Sequence, residues 1–231
     1  SSDFSSTTSG KYYLTQDITQ TSSIEIGSSS STPEVEITLC LNGYKIAFEY
    51  TSTRTSRRID VYENATFILC DCNGSNGEHD YYADETGLYV FNNGQDGWQD
   101  SYNSAEKKGT VSGGVVTGGY SSSSDDGGGV KVESSSTFTM NGGTISNNTA
   151  YYGGGIRAGA FTNLLKITGG TITNNTATSH GGGVYVFSGT IYLSGSAQIT
   201  GNVKSDGTAN SVYLESGKVI TLTDIFTGSV G

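Results

Sequence analysis

Residues 142–150 read GGTISNNTA, and residues 169–177 repeat this stretch as GGTITNNTA. A shortened third copy, QITGN, follows at 198–202. The isoleucines of the three copies are each 27 positions apart, at Ile145, Ile172 and Ile199. A constant spacing of this kind indicates an internal repeat whose units stack on one another.

A second landmark recurs with nearly the same period. Three glycines precede an aliphatic residue in GGGV at 127–130, GGGI at 153–156 and GGGV at 181–184. These triplets are 26 and 28 positions apart, so the spacing varies at the turns while the isoleucines keep theirs. A fixed inner period with variable turns is typical of a solenoid.

Apolar residues within each repeat alternate with polar ones over short runs. Val130 and Val132, then Phe138 and Met140, follow this pattern in one repeat, and Gly, Ser, Thr and Asn separate the runs. The alternation predicts short half-buried strands, and no segment shows a sustained helical period. Two or three strands in a unit of about 27 residues fit one coil of a parallel β-helix, with coils about 4.8 Å apart.

We therefore predict an all-β fold, a single-stranded right-handed parallel β-helix of about eight coils. The one proline, Pro33, lies outside the repeats, as expected because each coil must donate N–H groups to its neighbour. One domain covers 1–231, with an N-terminal cap and first coils in 1–33, irregular coils in 34–126 with an insertion at 92–108, regular repeats in 127–210 and a terminal coil in 211–231.

Two of the GGT copies contain a pair of adjacent asparagines, which has two interpretations. Asn147 and Asn174 each begin an N-x-T sequence, so N-glycosylation is formally allowed, as it is at Asn64 and Asn73. Alternatively, one asparagine per coil turns inward and forms an amide ladder with the coils above and below. Because the pairs keep the period of the repeat, the pattern favours the ladder.

Unusual residues collect at one corner of the predicted coil, just ahead of its first strand. Stacked coils would align them as a column of aromatic and acidic side chains, which suits a groove for a sugar chain. The alternative is an ordinary solvated turn, since turns collect Tyr, Asp and Ser. The column comprises Tyr81, Tyr82, Asp84, Glu85, Tyr120, Asp125, Asp126, Tyr151, Tyr152 and His180.

The insertion carries the only tryptophan, Trp98, together with Tyr102. Insertions in repeat proteins form loops on one face, often the binding face. We therefore predict that Trp98, Tyr102 and the tyrosines of the corner column bind the ligand. A glycan or another molecule of a host or cell surface is the expected partner.

An enzymatic alternative uses the same corner. Asp125, Asp126 and His180 resemble the acidic pair and the SHG-type motif of polygalacturonases, β-helical enzymes that set carboxylates across a cleft. In that family the motifs lie one coil apart and a basic R-x-K motif follows them. Here they lie two coils apart and Arg157 falls between them, so the spacing favours a non-catalytic protein while leaving the enzyme open.

The sequence requires no cofactor, but its acidic loops hold candidate calcium ligands. Carboxylates beside backbone carbonyls suit this ion. Neither EF-hand spacing nor a GGxGxD repeat is present. The candidates are Asp80, Asp84, Glu85, Asp96 and Asp100.

The net charge of −10 and the pI near 4.5 oppose binding to nucleic acids and anionic membranes. No apolar run reaches the roughly 18 residues of a membrane-spanning helix, so we expect no membrane insertion. The chain starts on serine and ends within the repeat pattern, which predicts a segment of a longer surface protein.

The three cysteines lie in two similar segments, LCLNG and LCDCNG. Aligning the Asn-Gly turns places Leu39 over Cys70, which predicts that Cys70 faces the core. By the same alignment Cys72 faces inward and Cys40 outward. A register shifted by one residue would instead allow a Cys40–Cys70 disulfide. A zinc site would lack further ligands, because no His or additional Cys accompanies the C-x-C pair.

The GGTISNNTA and GGTITNNTA stretches and their GGG triplets resemble the repeats of bacterial surface β-helix proteins. These include the polymorphic outer-membrane proteins and large surface proteins of gut bacteria, within the pectate-lyase-like superfamily. Residues 10–18 and 37–43 resemble the first coils of such proteins, and 209–214 resemble the last coils. The resemblance implies a right-handed β-helix and a secreted or cell-surface location in a bacterium.

The expected function is a non-catalytic extracellular surface module, an adhesin-like glycan binder or a stalk that displays loops. The alternative is a polysaccharide-active hydrolase or lyase that uses the acidic corner. A lyase would need a cluster of Lys or Arg to lower a pKa, and the sequence has none. A purely structural spacer is the second alternative.

Overall fold

The computed structural model describes residues 7–28, 34–48, 56–75, 77–83, 89–91, 106–122, 127–159 and 163–231. Within these ranges the regular structure consists of β-strands. Most strands pair in parallel with strands one coil earlier and one coil later. The protein is therefore a parallel β-solenoid, which confirms the predicted fold class.

The strands follow the chain coil by coil. Coil 1 has β1 (Gly10–Tyr13), β2 (Ile18–Gln20) and β3 (Ile24–Ile26), and coil 2 has β4 (Glu36–Cys40), β5 (Lys45–Phe48) and β6 (Ile59–Val61). Coil 3 has β7 (Thr66–Cys70), leaves the stack for β8 (Glu78–Ala83), β9 (Tyr89–Phe91) and β10 (Glu106–Ser112), and resumes with β11 (Val115–Thr117) and β12 (Val130–Val132). Coil 4 has β13 (Thr137–Met140), β14 (Thr144–Ser146), β15 (Thr149–Tyr152) and β16 (Ile156–Ala158). Coil 5 has β17 (Leu164–Ile167), β18 (Thr171–Thr173), β19 (Thr176–His180) and β20 (Val184–Val186). Coil 6 has β21 (Thr190–Gly195), β22 (Gln198–Ile199), β23 (Val203–Lys204) and β24 (Val212–Leu214), and a partial coil 7 has β25 (Ile220–Phe226) and β26 (Ser229–Val230).

Stacking of the coils produces four parallel sheets. Sheet A runs β1-β4-β7-β13-β17-β21-β25, sheet B runs β2-β5-β11-β14-β18-β22-β26, sheet C runs β3-β6-β12-β16-β20-β24 and sheet D runs β15-β19-β23. The described residues thus complete six coils and begin a seventh. This is fewer than the eight predicted, because the described residues 71–75, 77–83, 89–91 and 106–114 of coil 3 lie outside the stack.

The repeated isoleucines stack directly on one another. Ile145 pairs with Ile172, and Ile172 pairs with Ile199, in neighbouring parallel strands of sheet B. All three side chains are fully buried, and Val116 continues the column below Ile145. Each fully buried side chain of this size contributes about 1.5–3 kcal/mol of hydrophobic stabilisation. The predicted period is therefore the period of the core.

The asparagine pairs serve both the corner and the core. Asn147 and Asn174 adopt left-handed φ values of 58° and 55° and turn the chain. The second residue of each pair points inward, where Asn148 Nδ2 donates to Asn175 Oδ1 at 2.9 Å. Asn175 Nδ2 donates in turn to Asn202 Oδ1 at 2.9 Å, and all three ladder residues are fully buried. The amide ladder is confirmed.

The predicted register of the cysteines is wrong by one residue. Leu39 pairs with Leu69, and the partner of Cys70 is Cys40. Cys70 is half-buried on the outer side of β7 rather than part of the core, and Cys72 is exposed. The Asn-Gly turns do not stack because the chain leaves coil 3 directly after Cys70. Cys40 forms its disulfide with Cys72.

The part of coil 3 that leaves the stack contains a three-stranded antiparallel sheet, β10-β8-β9. Tyr89 and Val90, which the sequence pattern placed among the irregular coils of 34–126, belong to β9 and pair antiparallel with β8. An alternating pattern does not distinguish a coil strand from a hairpin strand, which explains the error. In sheet C, β12 therefore pairs with β6 of coil 2 and not with β9, and Val130 is the register partner of Ile59. Residues 92–105 of the predicted insertion lie outside the described ranges.

Asp71 fixes the base of this antiparallel sheet. Its Oδ1 accepts a hydrogen bond from Gly43 N at 2.8 Å, and its Oδ2 accepts one from Gly114 N at 2.7 Å. Hydrogen bonds to a carboxylate are stronger than those between neutral groups. One side chain thus ties coil 2 to the point where coil 3 resumes.

A polar cluster lies where the antiparallel sheet meets sheet B. His79 and Lys45 are both buried, and His79 Nε2 lies 3.1 Å from Gly43 O. Lys45 Nζ lies 3.7 Å from Asp17 Oδ2. Burial lowers the pKa of Lys45, and the Asp17 carboxylate opposes that effect. Asp17 and His79 also line an open pocket of about 490 Å³.

Candidate ligand-binding surface

Part of the predicted corner column exists at the end of sheet D. Tyr152 of coil 4 and His180 of coil 5 are register partners, and their rings stack with centroids 6.0 Å apart. The ring of Tyr151 meets that of Tyr152 edge-on at 4.7 Å. The repeat therefore brings Tyr151, Tyr152 and His180 together, as the sequence predicted.

Other predicted members of the column lie elsewhere. Tyr81 and Tyr82 belong to β8 of the antiparallel sheet, so they do not form further rungs of sheet D. Tyr120 precedes the column by one coil, where its backbone forms bridges to Arg57 and Thr149. The remaining predicted ligand-binding and catalytic residues, Trp98, Tyr102, Asp125 and Asp126, lie outside the described residues.

Two tyrosines that sequence reasoning missed complete the cluster. Tyr185 and Tyr213 are register partners in sheet C, and their rings stack at 5.7 Å. Tyr185 also stacks on Tyr152 at 4.5 Å, and Tyr213 lies 4.2 Å from His180. A signal was present, because Tyr185 and Tyr213 occupy the middle position of the strand in VYV and VYL.

We call Tyr151, Tyr152, His180, Tyr185 and Tyr213 the aromatic surface. Tyr151 is 39% exposed, whereas Tyr152, His180 and Tyr213 are half-buried. Tyr185 is buried at the centre, with 2% of its surface exposed. The cluster is thus a contiguous patch of rings from three successive coils, in which the buried Tyr185 stacks on Tyr152 and Tyr213.

Polar groups border the aromatic surface. The Tyr185 hydroxyl donates to Glu215 Oε1 at 2.6 Å, and Ser179 Oγ lies 2.7 Å from His180 Nδ1. Asn210 Oδ1 accepts a hydrogen bond from Gly181 N and so holds the turn beside His180. Carboxylate, imidazole and hydroxyl groups beside aromatic faces can bind a ligand that is apolar on its faces and polar at its edges.

Burial raises the pKa of Tyr185 well above its ordinary value of 10.0, and the hydrogen bond to Glu215 adds to the shift. A raised folded-state pKa means that the folded protein keeps this proton when the unfolded chain loses it. The resulting stabilisation is complete below about pH 10 and is lost as the pH rises through the folded-state pKa.

We therefore expect Tyr185→Phe to weaken the alkaline loss of stability. The free energy of unfolding in urea, measured at about pH 9 and about pH 11, should fall less in this variant than in the wild type. An equal fall in the wild type and in Tyr185→Phe would contradict the assignment of a retained proton to the Tyr185 hydroxyl.

The calcium candidates receive no support at Asp80. Its Oδ1 accepts a hydrogen bond from Thr110 Oγ1 at 2.7 Å and pairs with Lys107 Nζ at 2.7 Å. The hydrogen bond from Lys107 is the main reason that the pKa of Asp80 lies below its ordinary value. This carboxylate is neutralised by a lysine, and Asp84, Glu85, Asp96 and Asp100 lie outside the described residues.

The sequence matches no protein-family model, no curated protein and no solved structure. Across the described residues there is no helix with the length and apolar character to cross a membrane. The class of the protein is therefore defined by its structure, a parallel β-solenoid that carries one aromatic surface across coils 4 to 6.

Proposed function

We propose that the chain is a non-catalytic extracellular module that binds a glycan on the aromatic surface. One observation carries the proposal: rings from three successive coils converge in a single, partly exposed patch. Sugar rings pack their C–H faces on aromatic rings, and their hydroxyls pair with carboxylates and imidazoles. Glu215 and His180 supply those polar groups.

The geometry suits an oligosaccharide. Neighbouring coils lie about 4.8 Å apart, close to the length of one unit in an extended sugar chain, so coils 4 to 6 match about two or three units. A ligand that follows the coil axis would meet Tyr152, His180 and Tyr213 in turn. We infer that affinity rises from monosaccharide to trisaccharide and then levels off.

Two further features support a place outside the cell. The Cys40–Cys72 disulfide favours an oxidising compartment. The GGT and GGG repeats resemble those of bacterial surface β-helix proteins, including the polymorphic outer-membrane proteins of the pectate-lyase-like superfamily. We propose a secreted or cell-surface position in a bacterium, as part of a longer surface protein.

A glycan array followed by calorimetry tests the proposal. We expect Tyr213→Ala to weaken binding of the best glycan at least about tenfold, which corresponds to the roughly 1.4 kcal/mol expected of an aromatic contact residue. Tyr152→Ala should have a similar effect. Phe187→Ala is the matched control, because Phe187 is an aromatic residue that is 46% exposed and belongs to none of the stacked pairs of the aromatic surface.

The other functional classes give distinct outcomes in the same experiment. Loss of binding in Trp98→Ala, with Tyr213→Ala unaffected, would place the site on the insertion. No binding by the wild type to any glycan would indicate a spacer. Release of reducing ends or unsaturated products from a polysaccharide panel, abolished by Asp125→Asn with Asp126→Asn, would assign the enzymatic alternative.

A further inference from the structure

The three cysteines lie in one cluster at the start of the antiparallel sheet. Their Sγ atoms all lie within 4.8 Å of one another, and Cys40 and Cys72 form the disulfide. Cys70 keeps a free thiol. A thiolate this close to a disulfide can attack it, because thiol–disulfide exchange begins when a thiolate reaches one sulfur of the bond.

We propose that Cys40 is shared between two partners, Cys72 and Cys70, by internal thiol–disulfide exchange. The Cys70 thiolate attacks Cys40 Sγ, a Cys40–Cys70 bond forms, and the Cys40–Cys72 bond breaks. Cys72 leaves as a thiolate and takes up from solvent the proton that Cys70 released. One disulfide and one thiol are present before and after, so no oxidant or reductant is consumed.

The alternative bond fits the fold. Cys40 and Cys70 end neighbouring strands of sheet A and are direct register partners in a parallel pair. Neighbouring strands lie about 4.8 Å apart, within the range of about 4.4–6.8 Å that disulfides span between Cα atoms. The Cα atoms of Cys40 and Cys72 are 6.1 Å apart. Either bond would join coil 2 to coil 3.

Exchange changes which cysteine carries the free thiol and how exposed that thiol is. Cys40 is buried and Cys70 is half-buried, whereas Cys72 is exposed. Transfer of the bond to Cys70 therefore moves the free thiol from a sheltered position to an exposed one. The product is a modification site at Cys72, whose thiolate can displace one thiol from a low-molecular-weight disulfide and keep the other half as a mixed disulfide.

The surroundings of Cys70 keep the exchange slow. Burial raises the pKa of the Cys70 thiol, and the neighbouring Asp71 carboxylate raises it further. Only the thiolate attacks a disulfide. At neutral pH Cys70 should therefore be largely protonated, and its attack on Cys40 should be slow.

Alkylation of the native protein tests the exchange. The wild type is incubated with iodoacetamide at about pH 8, where a measurable fraction of a thiol ionises. It is then digested with pepsin in acid, which prevents further exchange, and the label is located by fragmentation. We expect label on Cys70 in some molecules and on Cys72 in others, with Cys40 unlabelled. Label confined to Cys70 after long incubation would overturn the proposal.

Variants separate the exchange from simple exposure. In Cys70→Ser the attacking group is missing, so Cys72 should stay in its disulfide and take no label. In Cys72→Ser, treated with oxidised glutathione as the two-electron oxidant, the denatured protein should show no free thiol and no bound glutathione, because Cys40 has bonded to Cys70 and two reduced glutathione molecules are released. Two free thiols in Cys72→Ser, or labelled Cys72 in Cys70→Ser, would contradict the shared-partner arrangement.

Discussion

Replacing Asn175 with alanine should lower the free energy of unfolding by about 2–4 kcal/mol, as expected for an unsatisfied buried polar group together with a cavity. Asn175 Oδ1 accepts hydrogen bonds from the backbone and side-chain amides of Asn148, at 3.0 and 2.9 Å. Its Nδ2 donates to Ile145 O at 2.9 Å. Alanine keeps none of these bonds, and the groups left without a partner lie in a fully buried site. Chemical denaturation followed by circular dichroism measures the loss.

The neighbouring asparagine provides the matched control. Asn174 adopts a left-handed φ of 55°, a conformation that glycine takes without strain. Asn174→Gly should therefore change stability by no more than about 0.5 kcal/mol. Equal losses in Asn175→Ala and Asn174→Gly would mean that the ladder contributes no more than the corner, which would contradict its assigned role.

Gly154→Ala is the second substitution with a large expected effect, about 3 kcal/mol or more, because it places a methyl group inside a closed backbone contact. A Cβ at this position would lie 2.4 Å from Thr176 O and 2.5 Å from Gly182 O. Both atoms belong to the backbone of the next coil, so no side-chain rotation relieves the clash. The coils would have to separate where Gly155 N donates to Gly182 O at 3.0 Å.

Gly74→Ala is the control for this second prediction. The nearest atom to a Cβ at Gly74 is Asp71 Oδ2 at 3.4 Å, an ordinary contact. The change should cost no more than about 0.5 kcal/mol in the same denaturation experiment. If Gly154→Ala were equally mild, the glycine triplets would have no steric role in the stacking of the coils.

The GGG triplets show how much of the fold the sequence carries. A tight approach between coils needs glycine at the same place in every repeat, and a ladder needs one asparagine per coil. Both requirements repeat the same residue type at a nearly constant interval in the sequence. Ile145, Ile172 and Ile199 recur at that interval and stack in the structure. The coils that were predicted correctly are those in which packing repeats at a constant interval.

The errors arise where the chain departs from that interval. Asn42-Gly43 and Asn73-Gly74 look equivalent, but only the first turn continues its coil. The chain leaves coil 3 at Asp71, whose carboxylate binds the backbone of both flanking segments. Two similar local sequences therefore have different tertiary roles. The predicted cysteine register was wrong because it treated the two Asn-Gly turns as equivalent.

The candidate site was only partly predictable for a different reason. Tyr152 and His180 each directly precede the glycine triplet of their coil and pair along sheet D, after a one-residue register shift that follows Ala150, so their place in the sequence indicates that they align. Tyr185 and Tyr213 belong to sheet C, and their contact with that column depends on how sharply the coil bends between sheets D and C. The angle between two sheets leaves no repeating pattern in the sequence. The Tyr185–Tyr152 and Tyr213–His180 contacts could therefore be identified only from the structure.

The fold, the aromatic surface and the cysteine cluster all depend on the stacking of the coils. A methyl NOE spectrum tests that stacking most directly. With only isoleucine δ1 methyl groups labelled, we predict cross-peaks between Ile145 and Ile172 and between Ile172 and Ile199, which occupy adjacent rungs about 4.8 Å apart. The Ile145–Ile199 cross-peak should be absent or far weaker, since the rung of Ile172 lies between these two residues. Absence of both adjacent cross-peaks, or a strong Ile145–Ile199 cross-peak, would contradict the solenoid.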